Sequence, residues 1–237
     1  MASNRELWPE TFASDSFPSL PCPSCRSGRL ELRGETLTIT RLGSAHREHL
    51  RRGYDPNNDA GRFTCTLVCS NRRCGEVVVV AGDASYEYFD EQENLNSLRP
   101  HSMHPGPPLM DVPANVPGFA VEAIRQAFEA FWGDRGSAAN RLRISVERIL
   151  DAEGVSKGSL KLHERIDLFG KGHPELEDTL DALRHVGNLG SHDGNVSREA
   201  LLDTFEVYQE WLRNYYGKYP ERIKALVAKL NTTKGAY

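Results

Sequence analysis

No run of apolar residues in this 237-residue chain approaches the ~20 needed to cross a membrane, and the first nine residues, Met1 to Pro9, lack the apolar stretch of a signal peptide. The expectation is therefore a cytoplasmic protein with no membrane partner. Lysine is missing from the whole stretch before Lys157, so every cation there is an arginine. A net charge of −4 excludes coating of nucleic acid by bulk electrostatics, leaving only local patches for such contacts. Also missing are a glycine-rich phosphate loop, a Gly-x-Ser-x-Gly elbow and a pair of histidines one turn apart around a glutamate, which removes the common nucleotide-binding, serine-hydrolase and zinc-protease chemistries. Cysteine is scarce and odd in number: five residues, all between Cys22 and Cys74. Such a set does not make a secreted disulfide framework and reads as metal ligands with one thiol left over.

What is present divides into two halves. Residues 1–20 look extended and weakly patterned. From 21 to 98 the runs Arg29–Arg33, Thr36–Arg41, Phe63–Cys69 and Glu76–Ala81 are rich in Leu, Ile, Val and Thr and predict strands. Six prolines between Pro100 and Pro117 mark 99–118 as a linker, since that composition cannot continue a helix or a central strand. Beyond it, over 119–237, the apolar period becomes helical. Ala120, Ile124, Ala127, Phe128 and Phe131 form one stripe, and Ala138, Leu142, Ser145, Val146 and Ile149 another. A shorter helix is expected over Leu160–Phe169. Pro174 suits the first turn of the next, Ser197 caps a long helix through Leu201, Phe205, Tyr208, Trp211, Leu212 and Tyr215, and Pro220 opens a last one. The fold class is α+β: a small β module followed by an all-helical bundle.

Cys22-Pro-Ser-Cys25 and Cys69-Ser-Asn-Arg-Arg-Cys74-Gly75 read as two tight turns that each present a pair of thiolates, together the four ligands of a structural Zn²⁺ in a zinc ribbon. Four thiolates leave no position for a reactive water, so the metal would staple the module rather than catalyse. The 43 residues between Cys25 and Cys69 exceed the usual spacing and imply an inserted loop over 42–62. Cys65, the pair His46 and His49, and the pair His101 and His104 rank below these ligands; Cys65 shares parity with Leu67 and suits burial. The arginines of this module, with Tyr54 and Phe63 among them, leave nucleic-acid binding and a solvated charged loop both open.

Arg184, Asn188 and His192 recur four residues apart, which places a guanidinium, a carboxamide and an imidazole on one side of a helix whose buried face holds Leu176, Leu180, Leu183 and Gly187. Such a set suits an anion or an interface. With the helix Asn140 to Leu150, which carries an Arg and a Glu one turn apart, the pattern of Arg184, Gly187, Asn188 and His192 resembles the bacterial domain-of-unknown-function 4145 family over about Pro117–Tyr219. That family in turn is similar to the HEPN superfamily of small helical bundles in host-defence and toxin systems. The resemblance implies a dimer, a metal-independent endoribonuclease or RNA-binding activity, and His192 exchanging protons at the ribose while Arg184 holds the phosphate and Asn188 orients either partner. Gly187 stands where catalytic relatives carry the Arg, which sets a second expectation beside the first. In that reading the stripe is structural, Arg184 pairs with Asp181 or Glu147, and the protein is a dimeric adaptor that docks a defence-system protein or DNA.

Overall fold

The computed structural model describes residues 5–13, 16–43, 60–89, 92–155, 158–192, 196–217 and 219–233. The chain forms two compact units: the first runs to Pro108 and also takes Phe128–Asp134, and the second comprises Leu109–Ala127 and the chain from Arg135 onward.

The first unit is a five-stranded antiparallel sheet of β1 (Leu30–Leu32), β2 (Thr38–Arg41), β3 (Ala60–Cys69), β4 (Val77–Phe89) and β5 (Gln92–His104). The strands run in the order β1-β3-β4-β5, and β2 also pairs with β3. Alternation decides the faces: Phe63, Cys65, Leu67 and Cys69 of β3 point into the core with Val78, Val80 and Ala84 of β4, while Arg62 and Thr64 point to solvent. Trp8, Phe12 and Leu20 fill the same core, so the segment expected to be extended and unpatterned contributes three of its anchors. Phe12 exchanges two backbone hydrogen bonds with Leu98, at 2.7 and 2.8 Å, and its ring meets that of Trp132. Each such aromatic side chain contributes about 1.5–3 kcal/mol by leaving water.

β5 departs from the linker expected to begin at residue 99. Pro100 lies inside it, opposite Gly82 where the register shifts, and β5 is the outermost strand in the sheet order. An outer strand tolerates the missing N–H, and Gly82 lets the two backbones close: a Cβ there would stand 2.0 Å from the Arg99 carbonyl oxygen. The loop expected over 42–62 falls largely outside the described residues, as do His46 and His49, and the chain is already strand at Ala60.

Six helices are described beyond the sheet: α1 (Gly118–Ala130), α2 (Arg135–Ala152), α3 (Leu162–Gly170), α4 (Pro174–His192), α5 (Arg198–Tyr215) and α6 (Tyr219–Thr233). The expected stripes of α1 and α2 are buried, including Ile124, Phe128, Leu142 and Ile149. The Ser197 hydroxyl accepts from the Ala200 amide at 3.1 Å and so caps α5. The core of the second unit joins Leu142 and Val146 to Ile166, Leu180, Leu183, Phe205, Tyr208 and Trp211. Its buried polar groups are bonded: the hydroxyls of Ser145 and Tyr208 lie 2.8 Å apart, and Arg165 donates to the Val155 carbonyl and to Asp151. The apolar residues Ile223, Leu226 and Val227 of α6 are exposed.

Candidate metal centre and polar helix face

The cysteine pairs sit in two turns that the sheet brings side by side, because β1 registers Leu30 against Cys69. In the first turn the Cys22 amide donates to the Gly28 carbonyl at 3.0 Å, and Arg26 takes a left-handed φ of 56°. In the second, the amides of Cys74 and Gly75 both donate to the Asn71 carbonyl, at 2.9 and 3.2 Å, and Gly75 has φ 65°. Only a residue without a Cβ takes that conformation at little cost. Backbone geometry therefore aims all four thiols at one point.

The sulfurs of Cys22, Cys25, Cys69 and Cys74 lie within 4.8 Å of one another. Cys22 and Cys74 are 3.7 Å apart and Cys25 and Cys69 3.6 Å. A disulfide requires about 2.05 Å, so these are not bridges. A cation with four sulfur bonds of about 2.3 Å in a tetrahedron sets its ligands roughly 3.8 Å apart, which matches both pairs. The cluster could hold one metal ion. It is also packed from outside: a Cβ on Gly28 would stand 2.3 Å from the Cys69 sulfur. The Gly28 amide donates to the Cys25 sulfur at 3.3 Å and the Asn71 side-chain amide to the same sulfur at 3.8 Å. The Ser27 side chain and the Gly28 amide hold the Cys25 thiol down to about 5, while burial pushes Cys69 up to about 12. A cation among the four sulfurs favours the thiolate form of each.

Cys65 is not among them. It is buried on β3 opposite Val80, and desolvation pushes its thiol up to about 11. His101 bonds to Asp83 at 3.0 Å and His104 to Glu129 at 3.0 Å, so each of these alternative ligands is committed to a carboxylate.

Arg184, Asn188 and His192 all lie on α4, where Leu180, Leu183 and Gly187 form the buried face. The side chains of His192 and Leu176 lie outside the described residues. Arg184 and Asn188 are half-buried. Arg184 donates through Nε to Asp181 at 2.5 Å, and its Nη2 lies 3.1 Å from the His185 ring, which itself bonds to Asp181 at 3.1 Å. Arg184 is therefore engaged, and the Arg184 bond holds the Asp181 carboxyl below its usual range. Glu147, the other candidate partner, bonds elsewhere: Arg143 donates to it through Nη1 at 2.6 Å and to Asn140 through Nε at 3.2 Å.

Sequence reasoning noted this helix and offered Glu147 as a partner of Arg184, but it did not place Asn140 or Arg143 in the site. Gly187 brings Arg143 to α4: a Cβ there would lie 2.5 Å from the Cβ of Arg143 and 3.1 Å from its Cγ and Cδ. Gly190, one turn on, makes the same close approach to the Gly136 carbonyl. A glycine inside an amphipathic helix was the available signal, since it costs about 1 kcal/mol against alanine and calls for a packing reason.

Two family models match the chain. Residues 125–233 match DUF4145, a domain of unknown function. The first half, residues 10–102, matches a second domain of unknown function, DUF8608. The DUF4145 match takes in α2 to α6 with Arg143, Arg184, Asn188 and His192, and the DUF8608 match takes in all four clustered cysteines. No curated protein and no solved structure matches the chain. Among the described residues, no helix is long and apolar enough to cross a membrane.

Proposed function

We propose that this chain is an RNA-binding protein of host-defence type, built from a zinc-stapled β module and a HEPN-related helical unit. The observation that carries the reading is the crossing at Gly187 of α4, next to Asn188, where the stem of Arg143 packs while its guanidinium bonds Asn140 and Glu147 on α2. Close packing of two helices needs small residues at the crossing, not two arginines and two carboxamides near it. Guanidinium and carboxamide groups are the donors that phosphate and base edges accept from. Binding is favoured over cleavage, because Arg184 is held by Asp181 and His185 and because a glycine precedes Asn188.

Zinc is the metal that a closed set of four thiolates suits best. Cys22, Cys25, Cys69 and Cys74 would hold it. The ion would cross-link the turn before β1 to the turn between β3 and β4.

The test is fluorescence anisotropy of the full chain with labelled single-stranded RNA and no added divalent cation, followed by gel analysis of the same RNA. Saturable, salt-sensitive binding without cleavage is expected, and an RNA anisotropy that stays flat to high protein concentration overturns the reading.

One observation favours the adaptor reading: Leu189 is exposed on α4 directly beside Asn188. In that case α4 is a docking or homodimer surface. Light scattering would give a dimer mass that Leu189→Glu converts to a monomer, with Asn188→Ala and His192→Ala lowering the melting temperature.

A further inference from the structure

We infer that Arg143, rather than Arg184, makes the leading contact with the RNA backbone, an assignment that rests on the RNA-binding reading above. Arg143 lies on α2, and its aliphatic stem crosses α4 at Gly187, on the buried face next to Asn188 of the polar stripe. Any larger residue than glycine at position 187 would push the stem away. The crossing therefore sets the Arg143 stem against α4 at Gly187, one residue from Asn188.

Two neighbours on its own helix then fix the direction of the Arg143 fork. Asn140 takes Nε, Glu147 takes Nη1, and Nη2 is left out of these bonds. The guanidinium is planar, so fixing two of its nitrogens fixes the third. A phosphate oxygen can be met by Nη2 without first breaking either bond. The Arg143–Glu147 pair is partly reached by solvent, with side chains 25% and 26% exposed.

Arg184 is worse placed for the same task. Asp181 takes its Nε, His185 lies against its Nη2, and Asp167 of α3 adds a second carboxylate to its surroundings. An approaching phosphate meets two negative charges there and one beside Arg143. Arg184 is the less exposed of the two, at 19%.

The test titrates full-length protein into fluorescein-labelled oligouridylate across a potassium chloride series. Arg143→Gln is expected to weaken binding about tenfold and to reduce the slope of log affinity against log salt by about 0.7, the loss of one phosphate contact on a single strand. Arg143→Lys should restore the slope, and Arg184→Gln should reduce it by less than Arg143→Gln does. Glu147→Gln provides the check on folding, because it removes a partner of Arg143 but keeps the cation. It should tighten binding if Arg143 meets the RNA and weaken it if the α2 cluster merely holds the helices together. Wild-type binding with an unchanged slope in Arg143→Gln, or a larger loss in Arg184→Gln, overturns the assignment while leaving the RNA-binding reading intact. Absence of wild-type binding overturns both.

Discussion

Gly28 lies so close to Cys69 that a Cβ at position 28 would stand 2.3 Å from the sulfur. The sulfur is in turn 3.6 Å from that of Cys25, so it has no room to retreat without opening the cluster. Gly28→Ala should therefore lower metal content below that of the wild type and destabilise the β module. Overpacking alone costs about 1–3 kcal/mol, and loss of the ion adds to it. Plasma mass spectrometry of the purified variant and its melting temperature check this together. A variant with one metal per chain and wild-type melting would show that the turn adapts and that the contact is incidental.

The fifth cysteine separates ligation from burial. Cys65 faces the core of the sheet and is absent from the sulfur cluster, so Cys65→Ala should keep the metal and lose only about 1–2 kcal/mol for the atoms removed from a packed site. Cys69→Ser, four residues along the same strand, should lose the metal. Denaturant midpoints and metal stoichiometry measured on the two variants give opposite rankings if Cys65 is itself a ligand.

Spacing carried the four clustered cysteines, because two short Cys-to-Cys intervals determine which thiols a turn can present whatever lies between them. It could not carry β5. Gln92 to His104 is polar and contains Pro100, and its strand character depends on Gly82 across the ladder, which no local pattern records. Trp8 and Phe12 were missed for a related reason: they anchor an irregular segment, where burial follows no period. Helical stripes were legible wherever a neighbour covers them, as in α1 and α2. In α6 the same period is present but Ile223, Leu226 and Val227 are exposed. Periodicity reports a helix with an apolar side, not whether anything lies on it. The polar face of α4 was visible from Arg184, Asn188 and His192, but Arg143 required the tertiary contact at Gly187.

The ion pair on α4 gives a pH prediction that separates it from the cysteine cluster. Arg184 hydrogen-bonds Asp181 and, with the charges of Arg184 and His185, holds that carboxyl below its ordinary value near 4. A carboxyl with a depressed folded-state pKa contributes stability that is fully present above the unfolded value and is lost as pH falls through the folded one. The contribution is modest, because Asp181 is more than one-third exposed, at 37%, and solvent screens the pair. Acid would also protonate thiolates that hold a metal, so wild-type melting below pH ~5 would mix two effects. Asp181→Asn removes one of them. Its melting temperature should fall below that of the wild type near neutrality, and the gap should close as pH drops below the ordinary aspartate range. Arg184→Gln should trace the same closing gap. A gap that stays constant down to the acid limit would mean that Asp181 supports α4 by shape rather than by charge, and that Arg184 is not held in place by its bond to Asp181.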